Sequence, residues 1–162
     1  MRLAPLFVPV VVFSASLAEA KIKLPALVSD HMVLQQEAKA NIWGWAEPGE
    51  KVTVKYGEKS ASATTGNDKK WSVRLDGLKA GTSGDLTIAG EDTVVVKDVL
   101  VGEVWVGSGQ SNMEWIVQNA GNPEEEKKAA NYPQIRMFTV TKSASEIPKD
   151  DCVGKWLVCS PE

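Results

Sequence analysis

The chain reads Ala40-Asn41-Ile42-Trp43-Gly44-Trp45-Ala46, then Glu47-Pro48-Gly49-Glu50, then Lys51-Val52-Thr53-Val54-Lys55-Tyr56. The two outer runs alternate and are rich in branched and aromatic side chains, which suits pleated strands with one buried face. Between them, Pro48 and Gly49 stand in the order that a tight turn favours: proline presets φ and glycine tolerates a positive one. Outward from this segment, further strands are expected at Lys59–Thr64, Trp71–Leu75, Leu86–Ala89 and Thr93–Lys97. Gly66-Asn67-Asp68, Gly77 and Gly81–Gly84 punctuate them. No helix-period stretch of useful length falls between Lys21 and Asp98. Short strands with frequent turns predict a small β-sandwich over residues 21–98.

After Asp98 the pattern changes. Val99-Leu100-Val101 and Val104-Trp105-Val106 are nearly continuous apolar runs, interrupted by Gly102-Glu103. Strands buried on both faces of a parallel sheet read this way. Met113–Gln118 can begin a helix. A stronger one follows, with Asn122 as N-cap, Pro123 at the first position, Glu124, Glu125 and Glu126 in the first turn and Lys127 and Lys128 after them. Ile135–Val140 and Trp156–Cys159 read as strands. Residues 99–162 thus read as the opening of an α/β domain. So few strands and helices do not close a doubly wound sheet, so the expectation is an incomplete second domain with an unprotected edge.

Composition narrows the function classes. The 162 residues are 43% apolar and 24% charged, the balance of a globular protein. A net charge of −3 provides no basic surface for phosphates, which argues against nucleic acid as a partner. Of the six tryptophans, most are expected in the core, with a minority free to form a sugar-stacking surface. Residues 1–20 read as a secretory signal: Arg2, an apolar run from Leu3 to Leu17, and Ala18-Glu19-Ala20 as the cleavage site. The run is too short and too proline-marked for a comfortable membrane span. The mature chain is therefore expected to be secreted or periplasmic, with no membrane attachment after cleavage.

Cys152 and Cys159 are the two cysteines. On one extended strand their Cα atoms would lie about 23 Å apart, against about 5.5 Å in a disulfide. Pairing needs a chain reversal around Gly154; otherwise they are two separate thiols.

Gly107-Ser108-Gly109-Gln110-Ser111-Asn112-Met113-Glu114 carries the chemistry. An apolar run that ends in a glycine turn and presents a serine at a helix start exposes a nucleophile, with backbone N–H groups nearby for an oxyanion. Ser111-x-x-Glu114 is equally a capping box, in which the serine only satisfies orphan N–H groups. Spacing leaves both readings open. His31, the sole histidine, lies beside the Ser29-Asp30 turn and reads as a surface or packing residue. Glu124–Glu126 reads as helix-dipole complementation. No metal-ligand spacing and no phosphate or dinucleotide loop occurs, so no cofactor is implied.

Gly102-Glu103-Val104-Trp105 followed by Gly109-Gln110-Ser111-Asn112-Met113 resembles the signature of the sialate O-acetylesterase family, within the SGNH (GDSL-like) hydrolases. Ser29-Asp30-x-Met32-Val33-Leu34-Gln35, Ile42–Ala46 and Pro48-Gly49-Glu50-x-Val52 resemble the family's N-terminal β-domain. Ile135-Arg136-x-Phe138 and Trp156-x-x-Cys159-Ser160-Pro161 resemble the stretch after the serine. The likeness covers the whole mature chain in order. It departs at Lys70-Trp71, where the family pattern is Gly-x-Trp.

The resemblance implies a β-sandwich domain followed by the start of a flavodoxin-like SGNH α/β domain. It implies an O-acetylated sugar or glycan as substrate, and Ser111 as nucleophile and oxyanion N–H donor. Gly109, Gln110 and Asn112 would support the turn, with Gln110 standing where other SGNH enzymes carry Asp. The Asp-x-x-His block would lie beyond position 162, leaving this stretch inactive by itself. An acetyl xylan-type substrate is an alternative within the esterases. A non-catalytic carbohydrate-binding β-module is the alternative of another class, motivated by the tryptophans.

Overall fold

The computed structural model of the chain describes residues 22–161. The targeting segment expected at residues 1–20 lies outside the described residues. The strands are β1 (Val33–Gln35), β2 (Ala40–Trp45), β3 (Lys51–Tyr56), β4 (Lys59–Thr64), β5 (Lys70–Leu75), β6 (Ser83–Ala89), β7 (Thr93–Gly102), β8 (Tyr132–Val140) and β9 (Gly154–Cys159). Helix α1 spans Pro123–Ala129. Among the described residues the architecture is mostly β with one α-helix, and no helix is long and apolar enough to cross a membrane.

Five strands form one sheet in the order β1-β7-β6-β3-β4, and β2 pairs with β5 in a separate antiparallel ribbon. Period-2 alternation explains how they pack. In β3, Val52, Val54 and Tyr56 are buried while Lys51 and Lys55 are exposed. In β5, Trp71, Val73 and Leu75 are buried while Lys70, Ser72 and Arg74 are exposed. The inward faces of the sheet and the ribbon meet in a single apolar cluster with Ile42, Leu86, Ile88 and Val99 at its centre. Each such side chain, fully buried, contributes about 1.5–3 kcal/mol. The expected turn forms as read: Glu50 N–H donates to Glu47 O at 3.0 Å, and Gly49 takes φ +85°.

The change of pattern at Asp98 has a local cause. Thr93–Lys97 and Val99–Val101, expected as separate strands, are one strand, β7. Asp98 adopts a positive φ of 53°, and between the pairs Leu86↔Val96 and Gly84↔Val99 β7 carries an extra residue. This bulge shifts the alternation by one position, so Val96 and then Val99 and Val101 all face the core. The five-stranded sheet therefore continues to Gly102.

Beyond it, several expectations are corrected. Val104–Val106 forms no strand, and these residues are 40%, 87% and 91% exposed. An apolar run becomes a buried strand only when layers cover it, and none does so among the described residues. Met113–Gln118 is not an α-helix but two short 3-10 turns, Ser111–Glu114 and Val117–Asn119. β8 and β9 pair with each other antiparallel, not as members of a parallel sheet. Of the tryptophans, Trp71 is buried, Trp43 and Trp156 are partly buried against the core, and Trp105 and Trp115 stand exposed. Helix α1 does have Pro123 at its start, with Asn122 at the N-cap position in a left-handed conformation and without a side-chain capping bond. Both cysteines are unpaired.

The β8–β9 ribbon is fastened to the sandwich by polar contacts. Trp156 packs against Phe138 with ring centroids 5.3 Å apart, and its indole N–H donates to Leu27 O at 2.9 Å. Asp151 accepts from Ala26 N–H at 2.9 Å, and Asp150 pairs with Lys70 at 2.7 Å.

Candidate active site

The chain leaves the sandwich at Gly102 and is pinned there. Gln35 Oε1 accepts from Val104 N–H at 2.7 Å, and Gln35 Nε2 donates to Glu103 Oε2 at 3.1 Å. The Gln36 amide donates to the other Glu103 oxygen. The Gln36 and Gln35 amides hold the Glu103 carboxyl below its ordinary range. Sequence reasoning gave Gln35 and Glu103 no role beyond the family likeness. Their separation of 68 positions leaves no local signal of the contact.

The glycines then admit a side chain. Met113 folds back over the turn: a Cβ on Gly109 would sit 2.7 Å from Met113 Cγ, and one on Gly107 would sit 3.0 Å from Met113 Cε. Gln110 is extended and leads into the 3-10 turn Ser111–Glu114. Met113 N–H donates to Gln110 O at 2.9 Å, and Trp115 N–H to Asn112 O at 3.3 Å. The cap position falls on Gln110, whose side chain makes no capping bond, so the Ser111-x-x-Glu114 capping box does not form. Glu114 pairs with Lys142 instead. Ser111 is exposed at the start of the turn. Beside this segment, a cleft of about 1050 Å³ is lined by residues that include Trp105, Gly107, Met113, Arg136 and Phe138.

The single histidine is engaged elsewhere. His31 Nδ1 lies 2.6 Å from Asp98 Oδ2, and Arg136 Nη1 lies 2.6 Å from the same oxygen, with Nη2 at 3.2 Å from Oδ1. Arg136 can only donate, and its side chain is 5% exposed. Arg136 first, then His31, holds the Asp98 carboxyl below its ordinary range. This cluster joins the β7 bulge to β8; it does not bring a base to Ser111. Glu124, in the first turn of α1, pairs with Lys127 at 3.7 Å. Among the described residues, no cluster of three or more His, Cys, Asp or Glu could hold a metal.

A depressed carboxylate contributes stability above its unfolded pKa, and that contribution is lost as pH falls through the lower folded value. The Asp98–Arg136 contact should therefore stabilise at neutral pH and fade below about pH 4. Asp98 is 42% exposed, so solvent screens part of the pair. Arg136→Ala is expected to cost roughly 1–2 kcal/mol at pH 7 by urea denaturation, and clearly less at pH 3. An equal cost at both pH values would remove the electrostatic account.

No family model matches the chain. It is 31% identical over 164 residues to sialate O-acetylesterase of Homo sapiens, an alignment covering 92% of this chain and 31% of the human protein. To the Mus musculus sialate O-acetylesterase it is 33% identical over 144 residues, covering 80% of this chain and 26% of that protein. The crystal structure of a carbohydrate acetylesterase from Xanthomonas citri superposes with a TM-score of 0.84 at 36% identity, over 87% of this chain and 33% of that one. The chain thus spans about a third of the length of the relatives it matches. Both the fold and the sequence are shared with proteins of the acetylesterase class. Within that class, the chain is similar over most of its own length to sialate O-acetylesterases.

Proposed function

We propose that this stretch supplies the serine nucleophile of an esterase that removes O-acetyl groups from sialic acid or a related acetylated sugar. Ser111 Oγ attacks the acetyl carbonyl, and the Ser111 backbone N–H helps to hold the oxyanion. A histidine takes the serine proton and returns it to the leaving sugar oxygen; water, deprotonated by the same histidine, then cleaves the acetyl-serine to release acetate and restore Ser111, while an aspartate orients the histidine. Gly109 leaves room for Met113, while Gln110 and Asn112 hold the turn through their carbonyls. The observation that carries the reading is Ser111 itself: exposed, relieved of capping, and set in a chain similar to sialate O-acetylesterases.

His31 is committed to Asp98, so the reading needs a histidine and an aspartate that these residues do not bring to Ser111. It also takes the residues after Gly102 into an SGNH-type α/β domain of a secreted or periplasmic protein. The exposed Val104, Trp105, Val106 and Met137 support that, as apolar residues suited to a covered sheet.

The test uses a longer form of the protein that carries this stretch, incubated separately with an O-acetylated sialoside and with acetylated xylan. Acetate release from the sialoside supports the reading; release from xylan alone transfers it to a polysaccharide esterase. Release from neither sinks it.

A further inference from the structure

The outer face of the β2–β5 ribbon is a second place where chemistry collects, and it holds none of the residues of the Ser111 turn. Alternation turns Asn41, Trp43 and Trp45 outward on β2, and Lys70, Ser72 and Arg74 outward on β5. Register sets Trp43 directly opposite Ser72. A groove of about 390 Å³ opens here, lined by Asn41, Trp43, Lys70, Trp71 and Ser72. That volume falls within the roughly 300–1,000 Å³ of small-molecule sites.

Three observations narrow the occupant. Trp43 is only half-buried although it lies in a regular strand, and its indole N–H points toward Asp150 O at 3.5 Å. Asn41 and Ser72 are joined side chain to side chain at 3.2 Å, which leaves the Asn41 amide N–H₂ group and hydroxyl lone pairs for a ligand. Lys70, the groove's cation, is already neutralised by Asp150 at 2.7 Å. The groove also includes Trp71, whose buried indole N–H has no acceptor among the described residues.

An amphipathic indole beside neutral donors and acceptors matches one ligand type: a ring with an apolar C–H face and hydroxyls at its edge. Of the two cations on this face, Lys70 is paired with Asp150, and Arg74, opposite Asn41, lies outside the groove's lining, so the groove itself offers no unpaired cation to an anionic sugar. We propose that this groove is a binding subsite for an uncharged sugar residue of a glycan, with Trp43 as the stacking platform and Asn41 and Ser72 as the hydroxyl partners. The proposal involves no reaction, so it stands or falls separately from the esterase reading.

The chain is titrated with xylohexaose, cellohexaose and mannohexaose, none of which carries an acetyl ester, and with sialyllactose as the anionic comparator. Binding is followed by tryptophan fluorescence and calorimetry. At least one neutral hexasaccharide is expected to bind in the millimolar range or tighter, and sialyllactose at least about tenfold more weakly. Trp43→Ala should weaken that binding about tenfold or more. Ser72→Arg, an exposed change that fills the groove without touching the core, should do the same, while Trp115→Ala should leave it unchanged. Failure of all three hexasaccharides to bind overturns the proposal. So does binding that survives both Trp43→Ala and Ser72→Arg, or binding that is lost with Trp115→Ala.

Discussion

If the proposed esterase reading holds, Ser111→Ala in a form of the protein that hydrolyses an aryl acetate is expected to lower that hydrolysis by about 10⁴-fold or more, with little change in folding stability. The size follows from the role. Without its nucleophile a serine triad retains only what oxyanion donors and substrate binding supply, and the members of such a unit fail together. The unchanged stability follows from the structure. A serine that capped a helix would cost about 1 kcal/mol on truncation, but Gln110 occupies the cap position and Ser111 is exposed. The two readings of this residue, equal on spacing, thus separate on two instruments. Loss of turnover with an unmoved urea midpoint supports the nucleophile. A shifted midpoint with turnover intact assigns Ser111 to the turn and withdraws the catalytic role.

The β-sandwich was legible because its strands keep one face dry. Val52, Val54 and Tyr56 alternate with Lys51, Thr53 and Lys55, and the turn before them needs proline and glycine in one order. What was misread came from places where alternation slips or where contacts are distant. The Asp98 bulge breaks the period inside β7, so a single strand looks like two. β1 is three residues long and has no room to show a pattern; its pairing with Leu100 and Val101 is a tertiary fact.

Of the candidate site, the residue types and their order were legible, because Gly107, Gly109 and Ser111 act within a few positions of one another. The support was not: Gln35 reaches Glu103 across 68 positions, and Asp98 reaches Arg136 across 38. Long-range side-chain pairs leave no periodic trace. The apolar run at Val104–Val106 failed for a related reason: its pattern describes an environment, and a segment shows a buried strand only where that environment is built.

Gly44→Ala is expected to destabilise the sandwich by about 3 kcal/mol, at the upper end of what one added methyl does in a packed core. Gly44 needs no unusual backbone angle; what it needs is space. A Cβ there would lie 2.4 Å from Lys23 O and 2.8 Å from Trp71 Cζ2. Neither neighbour can withdraw easily. Lys23 is held by a reciprocal pair of hydrogen bonds with Trp45, each 2.9 Å. Trp71 sits opposite Gly44 in the ladder, 3% exposed, among the core residues that join the ribbon to the sheet. Gly49 makes the useful contrast. It has open space around it, but its φ is +85°, so Gly49→Ala should cost only about 1 kcal/mol through backbone strain. Urea denaturation of both variants, with unchanged m values, orders the two effects. Should Gly49→Ala prove the costlier change, the close approach of Trp71 to β2 would be wrong, and with it the packing that holds Trp43 and its neighbours in register on the outer face.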